Sequence, residues 1–355
     1  MATHRIISAQ PTDEQEEHLN LSLRPTTLAD YVGQPKLIEK LTITLQAVKQ
    51  RAEPMEHVLL HGPPGLGKTT LAHIIANELG THLTVSSGPA LTRPTDLVGT
   101  LTKLQTGDVL LIDEIHRLAP VVEEYLYPAM EDFKIDFTLD SGLHAKAITM
   151  PIKPFCLIGA TTRAGLLSGP MRSRFGIIHN LDFYNEQDLL KILSRSAALM
   201  NMHTTKTPQG VTLDALHTIS RRCRGTPRIA NRLLRRIRDY AQVKADGQLS
   251  GQTVDAALQL EGVDALGLDE LDRKYLHIVA EVYRGGPVGL EAVAATLGED
   301  AGTLEDIVEP YLLQIGFLAR TRKGRQLTQT SAEHLGIQIA TPSNDAGTGL
   351  FDPSS

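Results

Sequence analysis

Residues 57–79 read HVLLHGPPGLGKTTLAHIIANEL: a short apolar run, a glycine-rich turn and a helical pattern, in that order. The run is bounded by polar residues and built of Val and Leu, which suits a strand buried on both faces of a parallel sheet. The turn, Gly62 to Thr69, fits G-x-x-x-x-G-K-[ST] in the strand-then-helix context that this motif requires. In such a loop Gly65 and Gly67 let backbone N–H groups curl around phosphates, and the following helix N-terminus adds its dipole. Lys68 then neutralises the β and γ phosphates, and Thr69 offers a hydroxyl to magnesium. A glycine-rich turn without function would account for the glycines but not for both flanks.

Two further apolar runs follow. DVLLIDE, residues 108–114, ends in Asp113 and Glu114, and FCLIGATT, residues 155–162, ends in Thr161 and Thr162. An Asp at a strand's carboxyl end can hold hydrated magnesium, and a Glu beside it can orient or deprotonate an attacking water. Adjacent acids can also be plain surface charge. A threonine at the same height on a neighbouring strand could bond a γ-phosphate or that water, although Thr is a good strand former in any case. Between these runs lies FKIDFTLDSGLHAKAITMPI, where Phe133, Ile135, Phe137 and Leu139 alternate up to a turn signal at Asp140-Ser141-Gly142. It predicts a β-hairpin over about 133–153, projecting from the sheet.

After Tyr184 the pattern becomes helical, with no strand candidate as far as residue 262. In PRIANRLLRRIRDYA, Thr226 is expected to cap and Pro227 to start the helix, which puts Arg228 in its first turn. Ile229, Leu233 and Ile237 make an apolar stripe, flanked by Arg232, Arg235, Arg236 and Arg238 as solvated or ion-paired charges. A cation in a first turn opposes the helix dipole, a small cost that a phosphate contact would explain for Arg228. The block 263–338 reads as three helices, the third opened by a Thr303/Asp306 capping pair, and two strands around Gly324. The third helix, 303–314, carries Glu305, Asp306 and Glu309 and no Lys or Arg, so nucleic acid would not be met by its face. The hairpin crowds Arg320, Arg322, Lys323 and Arg325, which suits phosphate contact from there, or else a solvated charged turn. Expected domains are therefore 21–184, 185–262 and 263–338, with disordered tails at 1–20 and 339–355.

A chain of 355 residues exceeds one ordinary core, in agreement with this division. A net charge of −6 excludes a protein coated in nucleic acid, so any DNA contact is local. Aromatic residues are 4% with no Trp, which removes base stacking as a binding mode. No apolar run is long enough to span a bilayer. The first twenty residues carry Asp13, Glu14, Glu16 and Glu17, the wrong chemistry for a signal peptide. The two cysteines, Cys156 and Cys223, fall in buried segments and support neither a disulfide framework nor a zinc site, so a cytoplasmic location is expected.

Together GPPGLGKTT, LLIDEIHRL, GATTRAG, MRSRFG and RGTPRIANRLLRR resemble the AAA+ ATPases and, within them, the RuvB family of Holliday-junction branch-migration motors. The resemblance runs from about LRPTTLADYVGQ to GRQLTQT, nearly the whole chain, with the motifs in the family's order and approximate spacing. It implies an α/β P-loop AAA+ ATPase domain, a small all-helical lid domain and a C-terminal winged-helix domain. It implies ATP and Mg²⁺ as cofactors, with Lys68 and Thr69 as Walker A, Thr70 beside them binding nucleotide, and Asp113 and Glu114 as Walker B. Thr162, or less so Thr161, becomes sensor 1, Arg174 the arginine finger reaching a neighbouring subunit's nucleotide, and Arg228 sensor 2. Leu23, Arg24 and Tyr184 would line the base and ribose end, with Glu131, Asp132 and Phe133 close by. Arg320 and Arg325 would bind DNA, and the 133–153 hairpin would dock a RuvA-like junction-binding partner. A homohexamer on double-stranded DNA at four-way junctions, with a RuvC-like resolvase nearby, completes the picture. Two stretches depart from the pattern: about 201–212 is longer than expected and the tail after 338 is extended. The alternatives are another AAA+ machine, such as a clamp loader or helicase loader, and a nucleotide-switched DNA-binding adaptor that scarcely hydrolyses ATP. Glu114 argues against the adaptor, which has no need of a water-activating acid.

Overall fold

The computed structural model describes residues 22–51, 53–138, 147–202 and 211–337. Both expected tails, the hairpin tip with Leu139 to Gly142, and most of the 201–212 stretch lie outside the described residues. The chain divides into two compact units between Gly267 and Leu268.

The first unit is built on a parallel sheet of β1 (Val58–His61), β2 (Leu83–Ser87), β3 (Val109–Asp113), β6 (Cys156–Thr161) and β7 (Ile177–Asn180), in the order β2-β3-β6-β1-β7. β6 lies between β1 and β3, with His61 opposite Thr161 and Ile112 opposite Gly159, so the phosphate-loop turn, the acidic pair and the threonines share one edge. The apolar runs mark the three central strands. β2 and β7 are the sheet's edges, where burial is partial and Val85 is exposed, and neither carries a continuous apolar run.

Alternate strand residues feed opposite faces. Val58, Leu60, Val109, Leu111 and Ile158 join a core with α1 (Pro35–Arg51) and α2 (Lys68–Leu79). Leu59, Leu110, Ile112 and Leu157 join another with α3 (Pro94–Leu101) and α4 (Pro120–Glu131). After the short α5 (Gly169–Ser173) come four lid helices: α6 (Glu186–Leu199), α7 (Leu213–Arg222), α8 (Pro227–Lys244) and α9 (Gly251–Leu260). The first core continues into them through Leu193, Ile219 and the Ile229, Leu233, Ile237 stripe, each such side chain contributing about 1.5–3 kcal/mol by burial. Asn185, Thr212 and Ser250 cap their helices by accepting backbone N–H groups. Thr226 occupies the expected cap position of α8, but its hydroxyl donates to Arg224 O at 3.1 Å instead of accepting from the helix. Arg232 is buried rather than solvated.

The antiparallel hairpin of β4 (Lys134–Thr138) and β5 (Ala147–Pro151) pairs Ile135 with Met150. Its base is core: Ile135 is fully buried, and the Phe133 ring packs edge-on against His57 and Phe155.

The second unit is a winged helix. α10 (Glu270–His277) runs on as a π turn through Ile278–Val282; α11 (Leu290–Leu297) follows. α12 (Ala301–Thr303) continues through a π turn at Leu304–Val308 into α13 (Glu309–Gln314), and β8 (Leu318–Thr321), β9 (Gly324–Leu327) and α14 (Gln329–Leu335) close the domain. Asp300, not Thr303, opens the third helix, accepting Thr303 N–H at 3.0 Å. The hairpin turns on Arg322-Lys323, and Gly324 begins β9. With φ at +132°, a Cβ on Gly324 would lie 2.4 Å from Val288 O, because Val288 crosses beside β9 and exchanges two backbone hydrogen bonds with Arg325. Among the described residues no helix is long and apolar enough to cross a membrane.

Candidate nucleotide site

At the sheet edge Gly67 precedes α2 with φ of +102°, and a Cβ there would lie 3.1 Å from Tyr31 Oη, so the loop needs glycine to stay open. Lys68 is 7% exposed and donates from Nζ to Gly62 O at 2.7 Å and Pro63 O at 2.9 Å. Burial pushes its ammonium down to about 8, against the pull of Asp113 and Glu114 and with the push of Arg228. A buried cation resting on neutral carbonyls suits an anion arriving in the loop. Thr69 Oγ1 lies 3.3 Å from Asp113 Oδ2, two hard oxygen donors converging. Among the described residues no cluster of three or more His, Cys, Asp or Glu could hold a metal ion. Two converging oxygens, one of them a carboxylate's, fit a magnesium ion that keeps most of its shell as water and phosphate oxygen.

Glu114 sits in the left-handed region, φ +48°, its N–H held by Asp113 Oδ1 at 2.9 Å. Its Oε2 accepts from Thr162 Oγ1 at 3.3 Å and lies 3.2 Å from His116 Nδ1. Thr161 is fully buried, its hydroxyl 2.8 Å from the same His116 nitrogen and accepting Arg163 N–H at 3.0 Å. Thr162 thus presents its oxygen to the acid, while Thr161 serves the interior. The sequence motifs do not single out His116; a histidine two residues after Glu114 in a short 3₁₀ turn is the available signal.

The cleft above the loop is lined by Leu23, Arg24, Gly65, Thr70, Tyr184 and Arg228, all expected, and also by Tyr31, Ile192, Arg195 and Asn231, which were not. Tyr184 Oη lies 2.8 Å from Tyr31 Oη and 3.3 Å from Leu66 O, the carbonyl accepting, and burial pushes its phenol up to about 12. Arg228 N–H reaches Gly65 O at 3.4 Å, so the first turn of α8 touches the phosphate loop directly. Ile192, Arg195 and Ser196 stand at i, i+3 and i+4 on α6, one face turned to the cleft, a spacing legible only once the lid's position is known.

Comparison with known proteins agrees along the chain. Residues 23–181 match the family model described as the Holliday junction DNA helicase RuvB P-loop domain, 184–264 the RuvB AAA lid domain, and 265–336 the RuvB C-terminal winged helix domain. The chain belongs to the RuvB family. It is 54% identical over 334 residues to the Holliday junction branch migration complex subunit RuvB of Desulfosudis oleivorans, covering 94% of this chain and 95% of that one. Among solved structures it is similar to the Thermotoga maritima RuvB Holliday junction branch migration motor, at 49% identity and a TM-score of 0.81 over 90% of this chain and 100% of that one. A mutant form of the same Thermotoga protein matches at 49% identity and a TM-score of 0.82, over 89% and 100%.

Several residues expected at a nucleotide lie outside the cleft of their own chain in this RuvB-family protein. Glu131, Asp132 and Phe133 do not line the cleft: Glu131 pairs with Arg174 at 3.1 Å, Asp132 with Lys134 at 2.8 Å, and Phe133 packs on His57 beside the opposite end of β1. The stretch closes α4 and starts the hairpin, and that packing fixes where it lies. Arg174 is also outside its own chain's cleft, donating to Pro170 O at 2.7 Å with its guanidinium carbon 4.3 Å over the Tyr127 ring. Arg172 donates to Ala164 O. In the winged helix, the guanidinium groups of Arg320 and Arg325 both pair with the fully buried Glu309, at 2.6 Å and 2.9 Å. A count of charges along the hairpin registers its cations but not the anion beneath them. Arg322 and Lys323, at the turn, are exposed.

Proposed function

We propose that this protein is an ATP-driven motor for branch migration of Holliday junctions in recombination and repair, hydrolysing ATP with Mg²⁺ in a hexameric ring around duplex DNA. The observation that carries the reading is the buried Lys68 ammonium, resting on loop carbonyls beside two ordered acids of separate purpose. Lys68 and the N–H groups around Gly65 and Gly67 bind the β and γ phosphates, with Thr70 one residue further along the helix start. Thr69 and Asp113 hold magnesium, which when bound neutralises phosphate charge and orients the in-line displacement. Glu114, steadied by Thr162, takes the proton of the attacking water. Leu23, Arg24 and Tyr184 line the base and ribose end. Arg228 ties the lid to the phosphate loop, so loss of the γ-phosphate frees α8 and becomes rotation of the lid. Arg174 reaches the neighbouring subunit's nucleotide, which its exclusion from its own cleft supports.

The wing touches DNA backbone without reading sequence, the 133–153 hairpin docks a RuvA-like junction-binding protein, and a RuvC-like resolvase acts on the same junctions, all in the cytoplasm. The test is a synthetic four-way junction with and without that partner. Branch migration is expected for the parent protein, with none for Lys68→Ala; a protein that hydrolyses ATP yet never moves the junction would instead be a loader.

A further inference from the structure

Glu309 has no exposed surface, yet it begins α13 as a carboxylate facing the wing. Its Oε1 accepts from Tyr275 Oη at 2.8 Å and Arg325 Nε at 2.9 Å. Its Oε2 accepts from Arg320 Nε at 2.9 Å, Arg320 Nη2 at 2.6 Å and, more weakly, Arg325 Nη2 at 3.4 Å. Glu305 approaches the same guanidinium groups at 3.9 and 3.7 Å. A buried carboxylate is costly unless every lone pair is met, and an apolar residue of similar volume would often serve stability as well.

Its placement says what it adds. Arg320 and Arg325 are direct cross-strand partners in the β8–β9 register. Like charges at such a pair repel and splay a two-stranded hairpin. Glu309 beneath them reverses that repulsion and spends the Nε side of both forks inward. Each guanidinium has five N–H groups; Arg320 meets Glu309 through Nε and Nη2, while its Nη1, 3.9 Å from the partly exposed Glu305, lies on a side chain that is 42% exposed and within reach of a phosphate. The turn carrying exposed Arg322 and Lys323 then extends from a hairpin anchored to the helix at one point and to Val288 at another.

We propose that Glu309 is a positioning residue for phosphate-backbone contact: it locks the Arg320–Arg325 pair so that the wing presents Arg320, Arg322 and Lys323 as one preset cationic edge. This rests on the reading that the winged domain touches DNA backbone. Without the lock, two long side chains must be ordered on binding, which costs affinity.

The test uses the full chain and labelled duplex DNA over a salt series. Point-charge reasoning says that Glu309→Gln, by removing an anion from a cationic hairpin, tightens binding. Positioning says the opposite: roughly tenfold weaker binding and a salt slope reduced by about one ion. Tyr275→Phe removes one hydrogen bond and leaves all charges, and should weaken binding by roughly two- to threefold. It carries the test if a thermal melt shows that Glu309→Gln unfolds the winged domain. Unchanged or tighter binding in the folded variants overturns the positioning role. Arg322→Ala with Lys323→Ala keeps the two readings apart: parental affinity in that variant overturns DNA contact by the wing altogether, whereas weakened binding there with parental binding in Tyr275→Phe and Glu309→Gln overturns positioning alone.

Discussion

The nucleotide loop and the wing are both cationic, and they treat their cations in opposite ways. Lys68 is buried on the neutral carbonyls of Gly62 and Pro63, while Arg320 and Arg325 are held on a carboxylate with no exposed surface. The first arrangement waits for an anion; the second already contains one. A cation's function therefore depends on where its counter-charge sits and how easily that partner can be given up. Arg174 falls between them, since its partner Glu131 is 54% exposed and can be surrendered to water.

That intermediate position carries the largest expected effect. If Arg174 is only parked on Glu131 and acts on a neighbour's γ-phosphate, Arg174→Ala should cut ATP turnover by roughly 10³ to 10⁵, the range for arginine fingers in other phosphoryl-transfer enzymes. Glu131→Gln should cost little, because it releases a surface partner. Mixing Arg174→Ala with Lys68→Ala subunits should partly restore turnover, since each supplies what the other lacks. No recovery on mixing, or equal damage from Glu131→Gln, would make Arg174 a structural residue.

A smaller effect is expected at His116, whose Nδ1 lies between Glu114 and Thr161. A neutral imidazole has one proton at most on that nitrogen, so Glu114 and the Thr161 hydroxyl compete for it. Replacing His116 by Ala should leave Glu114 unsteadied and lower kcat by roughly 10²-fold with little change in KM, the signature of an interaction felt in the chemical step. His116→Asn, whose amide can stand near the Nδ1 position, should recover much of the loss. A change in KM alone would place His116 in nucleotide binding instead.

How legible these sites were follows from the same physics. The phosphate loop, Asp113, Glu114 and the three central strands were readable because full burial and backbone curvature demand residue types that nothing else in the chain repeats. The edge strands β2 and β7 were not, because half-exposed backbone tolerates mixed composition. Tyr31, Arg195 and Asn231 reach the cleft only through tertiary packing of segments far apart in sequence. The setting of the wing's arginines was hidden for a related reason: Glu309 is four residues past Glu305 on what looks like an acidic exposed helix, and only the fold shows one carboxylate buried under two arginines while the other stays partly exposed. The role of Glu131, Asp132 and Phe133 came from resemblance alone, and the packing of Phe133 on His57 sets that stretch outside this chain's own cleft.

The smallest expected effect tests the waiting cation itself. In the free protein burial holds Lys68 near about 8, whereas phosphate oxygens beside it would stabilise the charged form and raise it. Well below pH 8 the lysine is already charged and binding takes up almost no proton, whereas around pH 8 only part of the free protein carries it. Above pH 8 the free protein has lost that proton and must regain it to bind. ATP affinity should therefore be nearly constant around pH 7, bend downward as pH passes through about 8, and approach a tenfold loss per pH unit beyond, with proton uptake that shows as a buffer-dependent heat in calorimetry. Lys68→Arg stays charged across this range, so whatever affinity it retains should show no such fall. A flat profile in the parent protein would mean that Lys68 keeps its proton despite burial, and that the neutral carbonyls of Gly62 and Pro63 suffice to hold a full charge, which would erase the contrast with Glu309.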